Sequence, residues 1–190
     1  MKACKYFGLH TSPFEGQPNP CFFCATAAHA ETSATLQYAV HAGKVCTLVL
    51  GDSGSGKTLL GHVLARSAPA GTDVLWVHGI GQPDGWTEAL VCPRGAAESS
   101  DSSALACIEK TELSEWIRAS LPKSRPLLVL IDNADGLHEQ GWEDLLSLVT
   151  RELCTPQRLS IVLFGIPALA ETLAAPALVR LQRRVFRACR

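Results

Sequence analysis

Between an apolar run and a helix-like stretch stands Gly51-Asp52-Ser53-Gly54-Ser55-Gly56-Lys57-Thr58, which satisfies G-x-x-x-x-G-K-[ST] at every fixed position. Few short patterns constrain a fold as strongly. Glycines let the backbone wrap an anion with successive N–H groups pointing inward, and the helix that follows adds its positive end. Lys57 is suited to the β- and γ-phosphates of a nucleotide, and the Thr58 hydroxyl to a magnesium ion. Leu59 opens the following helix and completes the candidate binding set. With glycine near 7% of residues, a chance match in a chain of this length falls under about one per cent. The expected ligand is therefore ATP, or a close relative, with Mg²⁺.

A loop of this kind needs a strand before it and a helix after it, and the pattern supplies both. Residues 45–50 form a short apolar run ended by glycine, the form of a buried parallel strand, and residues 59–68 continue as a helix ended by Pro69 and Gly71. Further strands are expected at 73–78, 127–131 and 160–164. Helices are expected at about 29–41, 111–121 and 139–153, with two short ones starting at Ala168 and Ala177, separated by Pro176. Strands alternating with helices imply a mainly parallel sheet covered on both faces. Residues 79–104 are rich in Gly, Ser and Pro and are expected to form a variable loop.

The strand 127–131 delivers Asp132 at its carboxyl end, about 75 residues after the loop. In P-loop ATPases an acid so placed holds the magnesium, often through water. Thr58 and Asp132 are accordingly the candidate metal ligands.

Composition sets the frame. The chain has 190 residues, 47% hydrophobic and 18% charged, enough for one α/β domain. A net charge of −1 makes no demand for nucleic acid or an anionic membrane as partner. No apolar run approaches the roughly 18 residues of a membrane span. The opening MKACKYFGLH lacks the apolar stretch of a secretory signal, so a cytoplasmic location is expected. In that setting the eight cysteines are read as ordinary thiols, Cys46 and Cys107 as packing residues. Cys21-Phe22-Phe23-Cys24 has no second ligand pair to complete a zinc site. Residues 1–28, with Pro13, Pro18 and Pro20, read as an extended arm, and 29–190 as the ATP-binding domain.

Several motifs in the same order resemble the AAA+-type ATPases related to general secretion pathway A proteins, with transposition ATPases as cousins. Tyr6-Phe7-Gly8-Leu9, Pro13-Phe14 and Pro18-Asn19-Pro20-Cys21-Phe22 look like that family's opening arm. His29 and Glu31, followed by Leu36 and Tyr38, resemble its H.EAL…L.Y segment. The run from Ile161 to Leu169 resembles IVLVGQPEL, and Leu181-Gln182-Arg183-Arg184-Val185 resembles LRQRI. The resemblance implies a three-layer α/β/α P-loop NTPase fold. It also implies that His29 lies near the adenine pocket, by stacking or hydrogen bonding, although a lone histidine at a helix start also suits a cap or a surface position. Arg184 aligns with the family's arginine finger, which would act on a neighbouring copy's γ-phosphate and imply a homo-oligomer. Arg180, Arg183, Arg184, Arg187 and Arg190 equally fit the solvated face of a terminal helix, or a patch for an acidic partner.

Three departures bear on catalysis. Where the family has a glutamate after its metal aspartate, this chain has Asn133, nearly isosteric but unable to take a proton from the attacking water. Asp135 is the candidate substitute, expected to leave the strand end at another angle. Ile166 replaces the polar residue that senses the γ-phosphate. The family pattern also continues into a helical lid, whereas this chain stops at Arg190, so a domain lacking most of the lid is expected.

Taken together, these features predict an accessory ATPase that binds Mg-ATP, hydrolyses it slowly and regulates assembly of a secretion-type system with an unknown protein partner. Lys57, Asp132, Asn133 and Arg184 are the candidate catalytic residues. The alternatives are a non-hydrolysing, nucleotide-dependent scaffold and a transposition-type ATPase associated with DNA. Near-neutral charge and the lack of a dedicated DNA-binding module argue against the last.

Overall fold

In the computed structural model, residues 4, 6–8, 19–78, 88–92, 125–151 and 159–187 are described below. The strands are β1 (Cys46–Leu50), β2 (Asp73–His78), β3 (Glu88–Cys92), β4 (Leu127–Asp132), β5 (Leu159–Gly165) and β6 (Val185–Arg187). The helices are α1 (Ala27–His41), α2 (Lys57–Ser67), α3 (Glu139–Arg151), α4 (Ala168–Leu173) and α5 (Val179–Gln182), with 3₁₀ turns at Pro20–Phe22, Ala134–Gly136 and Pro176–Leu178. The strands form one sheet in the order β3-β2-β4-β5-β1-β6. All neighbours are parallel except β3, which pairs antiparallel to β2.

The continuous apolar runs make sense because the sheet is buried on both sides. Side chains alternate across the pleat, so each strand feeds two cores. On one face Cys46, Leu48, Leu50, Val129, Ile131, Ile161 and Leu163 meet Trp142, Leu145 and Leu148 of α3, with Leu169 and Leu181 beside them. On the other, Val49, Leu128, Leu130, Val162 and Phe164 meet Leu36 of α1 and Leu60 and Leu64 of α2. This is the expected three-layer α/β/α arrangement. Each fully buried Leu, Ile or Val side chain contributes roughly 1.5–3 kcal/mol of transfer free energy.

The seating of α2 decides where the loop before it points. Gly61, in the middle of that helix, lies so close to the sheet that a Cβ there would stand 2.5 Å from the Trp76 ring. Trp76 stacks in turn on His62, ring centroids 4.3 Å apart, and lies nearly parallel to Phe164 at 6.5 Å. The lost helix propensity of glycine, about 1 kcal/mol, is the cost of this close approach.

Three expectations from the sequence need correction or extension. Within 79–104, expected to be loop, residues 88–92 form edge strand β3. Its backbone pairing with β2, from His78↔Glu88 to Val74↔Cys92, overrides the weak local pattern. The chain end continues past its two expected short helical segments into a strand. The segment from Ala177 is a 3₁₀ turn and a four-residue helix, then β6, which extends the sheet beside β1. Arg180, Arg183, Arg184 and Arg187 therefore do not share a helix face, because strand pairing with β1 takes the chain away from helix after Gln182. The expected helix at 111–121, Cys107 and Arg190 lie outside the described residues.

Cys46 is a packing residue, as its place in an apolar run suggested. Burial pushes its thiol from 9.0 up to about 12, since a thiolate there would have no water to solvate it. Cys21 and Cys24 are exposed free thiols. Alkylation at about pH 8 is expected to label Cys21 and Cys24 in the folded chain and Cys46 only after denaturation. Peptide mass mapping checks this, and native-state labelling of all three at one rate would contradict it.

Candidate functional site

The loop from Gly51 to Gly56 leaves the carboxyl end of β1 and runs into α2. Its two ends are tied to the sheet and to the helix. The Gly51 N–H donates to Gly165 O at the end of β5, at 3.1 Å, and the Leu60 N–H donates to Gly56 O at 2.8 Å. Gly54 and Gly56 have φ of 77° and 86°, a left-handed conformation that side chains oppose and glycine takes freely. The two glycines are where the chain makes its turn around the loop.

Lys57 folds back over this loop. Its ammonium donates to Gly51 O at 2.8 Å, to Asp52 O at 2.7 Å and to the Ser55 hydroxyl at 3.5 Å. A cation is thereby held at the mouth of the loop. Asp52, Ser53, Gly54 and Ser55 are all exposed there.

Thr58, the second residue of α2, reaches across to β4: its hydroxyl donates to Asp132 Oδ2 at 2.7 Å. Asp132 shares the pleat phase of Leu128 and Leu130, so it faces α2 and not α3. The residue is 2% exposed, and its Oδ1 also accepts the Asn133 N–H at 3.0 Å. Two hard oxygen donors thus meet beside Lys57, 74 residues apart in the chain. Ligands at right angles on an octahedral Mg²⁺, each at about 2.1 Å, stand about 3 Å from one another, so this pair fits one magnesium.

Past Asp132 the chain turns sharply. Asn133 has φ 52°, a left-handed backbone that asparagine tolerates better than most residues, and is exposed. The 3₁₀ turn Ala134–Gly136 then carries Asp135 toward β5, where its Oδ1 accepts the Ile166 N–H at 3.1 Å. Asp135 thus spans the ends of β4 and β5, a contact that the sequence did not reveal. Ile166 itself is 38% exposed.

His29 sits on the first turn of α1, behind the loop. Its Nε2 is 2.9 Å from Ser55 O, and its Nδ1 is 2.9 Å from the Thr26 hydroxyl. Neither bond was legible in the sequence, which offered His29 as a nucleotide contact, a cap or a surface residue. Leu59 follows Thr58 in α2 and is partly buried. Arg184 lies apart, exposed in the turn between α5 and β6, its N–H donating to Leu181 O at 2.9 Å. Among the described residues no group of three or more His, Cys, Asp or Glu side chains gathers to hold a metal. Cys21 Sγ instead accepts from Arg66 at 3.8 Å.

A model of the family described as "AAA domain" matches residues 40–173, which takes in the loop, Asp132 and β5. This chain belongs to the AAA domain family. General secretion pathway protein A of Aeromonas hydrophila is similar to it, 26% identical over 181 residues, covering 95% of this chain and 33% of that protein. The chain therefore spans about a third of that relative's length. Among solved structures, NtrX from Brucella abortus in complex with ATP aligns at a TM-score of 0.46 and 11% identity, over 99% of this chain and 42% of that one. The matched residues include Gly51 to Thr58, the loop whose sequence satisfies the P-loop pattern. Among the described residues no helix is long and apolar enough to cross a membrane.

Proposed function

We propose that this AAA domain binds Mg-ATP at the P-loop, hydrolyses it slowly, and serves as an accessory ATPase in the assembly of a secretion-type system. The observation that carries the reading is the 2.7 Å contact between Thr58 and Asp132, two oxygen donors suited to a magnesium ion beside Lys57. Loop N–H groups and Lys57 would hold the β- and γ-phosphates. Thr58 and Asp132 would hold the magnesium, which offsets phosphate charge as it builds in the transition state.

Slow turnover is inferred from two side chains. Asn133 has no basic site to take a proton from water, and Ile166 has no polar group to offer the γ-phosphate. A scaffold that binds ATP without useful turnover is the second reading, favoured by the same two residues. The similarity to a general secretion pathway protein supports the secretion-type setting. Arg184, exposed at the edge of the domain, would serve a neighbouring copy's nucleotide in a homo-oligomer. A cytoplasmic location, where ATP is available, suits this reading.

The test is calorimetric titration with ATP, in magnesium and in EDTA, alongside a phosphate-release assay. Asp132→Asn is expected to weaken the magnesium-dependent part of ATP affinity by about 10–100-fold, the usual worth of a group that supports a bound metal. Equal affinity in magnesium and EDTA, with Asp132→Asn unchanged, would overturn the proposed site.

A further inference from the structure

We propose that His29 is a positioning residue of the P-loop, setting the orientation of the Ser55–Gly56 peptide for a polyphosphate and making no contact with the base. The proposal rests on the reading of this loop as the ATP site.

A carbonyl oxygen only accepts, so the 2.9 Å contact from His29 Nε2 to Ser55 O puts a proton on Nε2. In the neutral ring Nδ1 is then an acceptor, and the Thr26 hydroxyl, 2.9 Å away, donates to it. The same Thr26 oxygen caps α1 by accepting the His29 N–H at 3.3 Å. Phe23 closes on the ring edge-on, centroids 5.7 Å apart. Both ring nitrogens are therefore engaged within the protein, and the imidazole is held by an aromatic neighbour and a helix cap. A hydrogen bond to adenine would have to break one of these.

The consequence lies in the next peptide. Among the described residues no peptide bond is cis, and in a trans peptide the C=O and the following N–H point in opposite directions. Holding Ser55 C=O toward α1 turns the Gly56 N–H away from His29, toward the side where the loop would receive phosphate. The loop alone would not hold this plane, because glycine accepts either sign of φ and the peptide can flip. Gly56 sits at φ 86°, and a Cβ there would lie 3.2 Å from His29 Nε2, so the histidine also closes off that side. The device acts on polyphosphate binding whatever base is attached.

The experiment measures Kd for Mg-ATP and for magnesium tripolyphosphate, which has no base, on the wild-type chain and three variants. His29→Ala and His29→Leu, the second keeping bulk against Phe23, are expected to weaken both ligands by the same factor, about three- to tenfold for one lost hydrogen bond. His29→Gln, whose amide can still donate to Ser55 O, is expected to recover most of that loss. A loss confined to ATP would make His29 a base contact and overturn the proposal. Unchanged affinity in His29→Leu, or no recovery in His29→Gln, would overturn it as well. A wild-type chain that binds neither ligand would be a different failure, that of the ATP site itself, and the proposal would fall with it.

Discussion

Replacing Asn133 by glutamate is expected to raise the rate of ATP hydrolysis by about 10²-fold, the lower range for a positioned general base. Asn133 directly follows the candidate magnesium acid Asp132, at the carboxyl end of β4, and is exposed. A carboxylate there can take the proton that the amide cannot. The backbone sets a modest counter-cost. At φ 52° glutamate lacks the local tolerance of asparagine, so a loss of about 1 kcal/mol in stability is expected. Phosphate release at saturating ATP, with a thermal melt on the same samples, separates the two effects. No gain in turnover from a folded Asn133→Glu chain would mean that a missing base is not what limits the reaction.

Lys57→Ala should reduce ATP affinity by about 10²-fold or more and take phosphate release to background. The ammonium now satisfies two loop carbonyls, Gly51 O at 2.8 Å and Asp52 O at 2.7 Å, and is the candidate cation for the β- and γ-phosphates. Hydrogen bonds to a charged group are worth roughly 1.5–3 kcal/mol each, and losing two to phosphate reaches that factor. Alanine should leave the fold intact, since Lys57 is only partly buried and supplies nothing to either apolar core. Titration calorimetry with ATP reads the affinity directly. Equal affinity and equal phosphate release in both proteins would remove the ATPase reading altogether.

These two residues differ in how legible they were. Lys57 belongs to a contiguous motif whose spacing follows from what a phosphate needs, so its role could be inferred without a structure. The strand runs 73–78 and 127–131 were also legible, since a sheet buried on both faces leaves continuous apolar runs. Strands β3 and β6 were not. Residues 88–92 and 185–187 are short and lie at the sheet's two edges, where pairing with β2 and β1 decides and local pattern says little. Asp135 was legible only as a spare acid. Its bond to Ile166 N depends on the left-handed turn at Asn133, which swings the chain across to β5.

His29 gives the sharpest contrast. The sequence marked it as notable within a helix-opening segment, and nothing in that segment indicates a bond to Ser55, 26 residues later. The glycine-rich loop, the acid at the end of β4 and the α/β alternation could all be read without a structure, because each is written in neighbouring residues through glycine freedom and side-chain period. The fold alone shows that Thr58 meets Asp132, that Asp135 spans β4 and β5, and that His29 meets the loop at Ser55. Those contacts join segments far apart in the chain. Their geometry comes from the order of strands in the sheet and the close seating of α1 and α2 upon it.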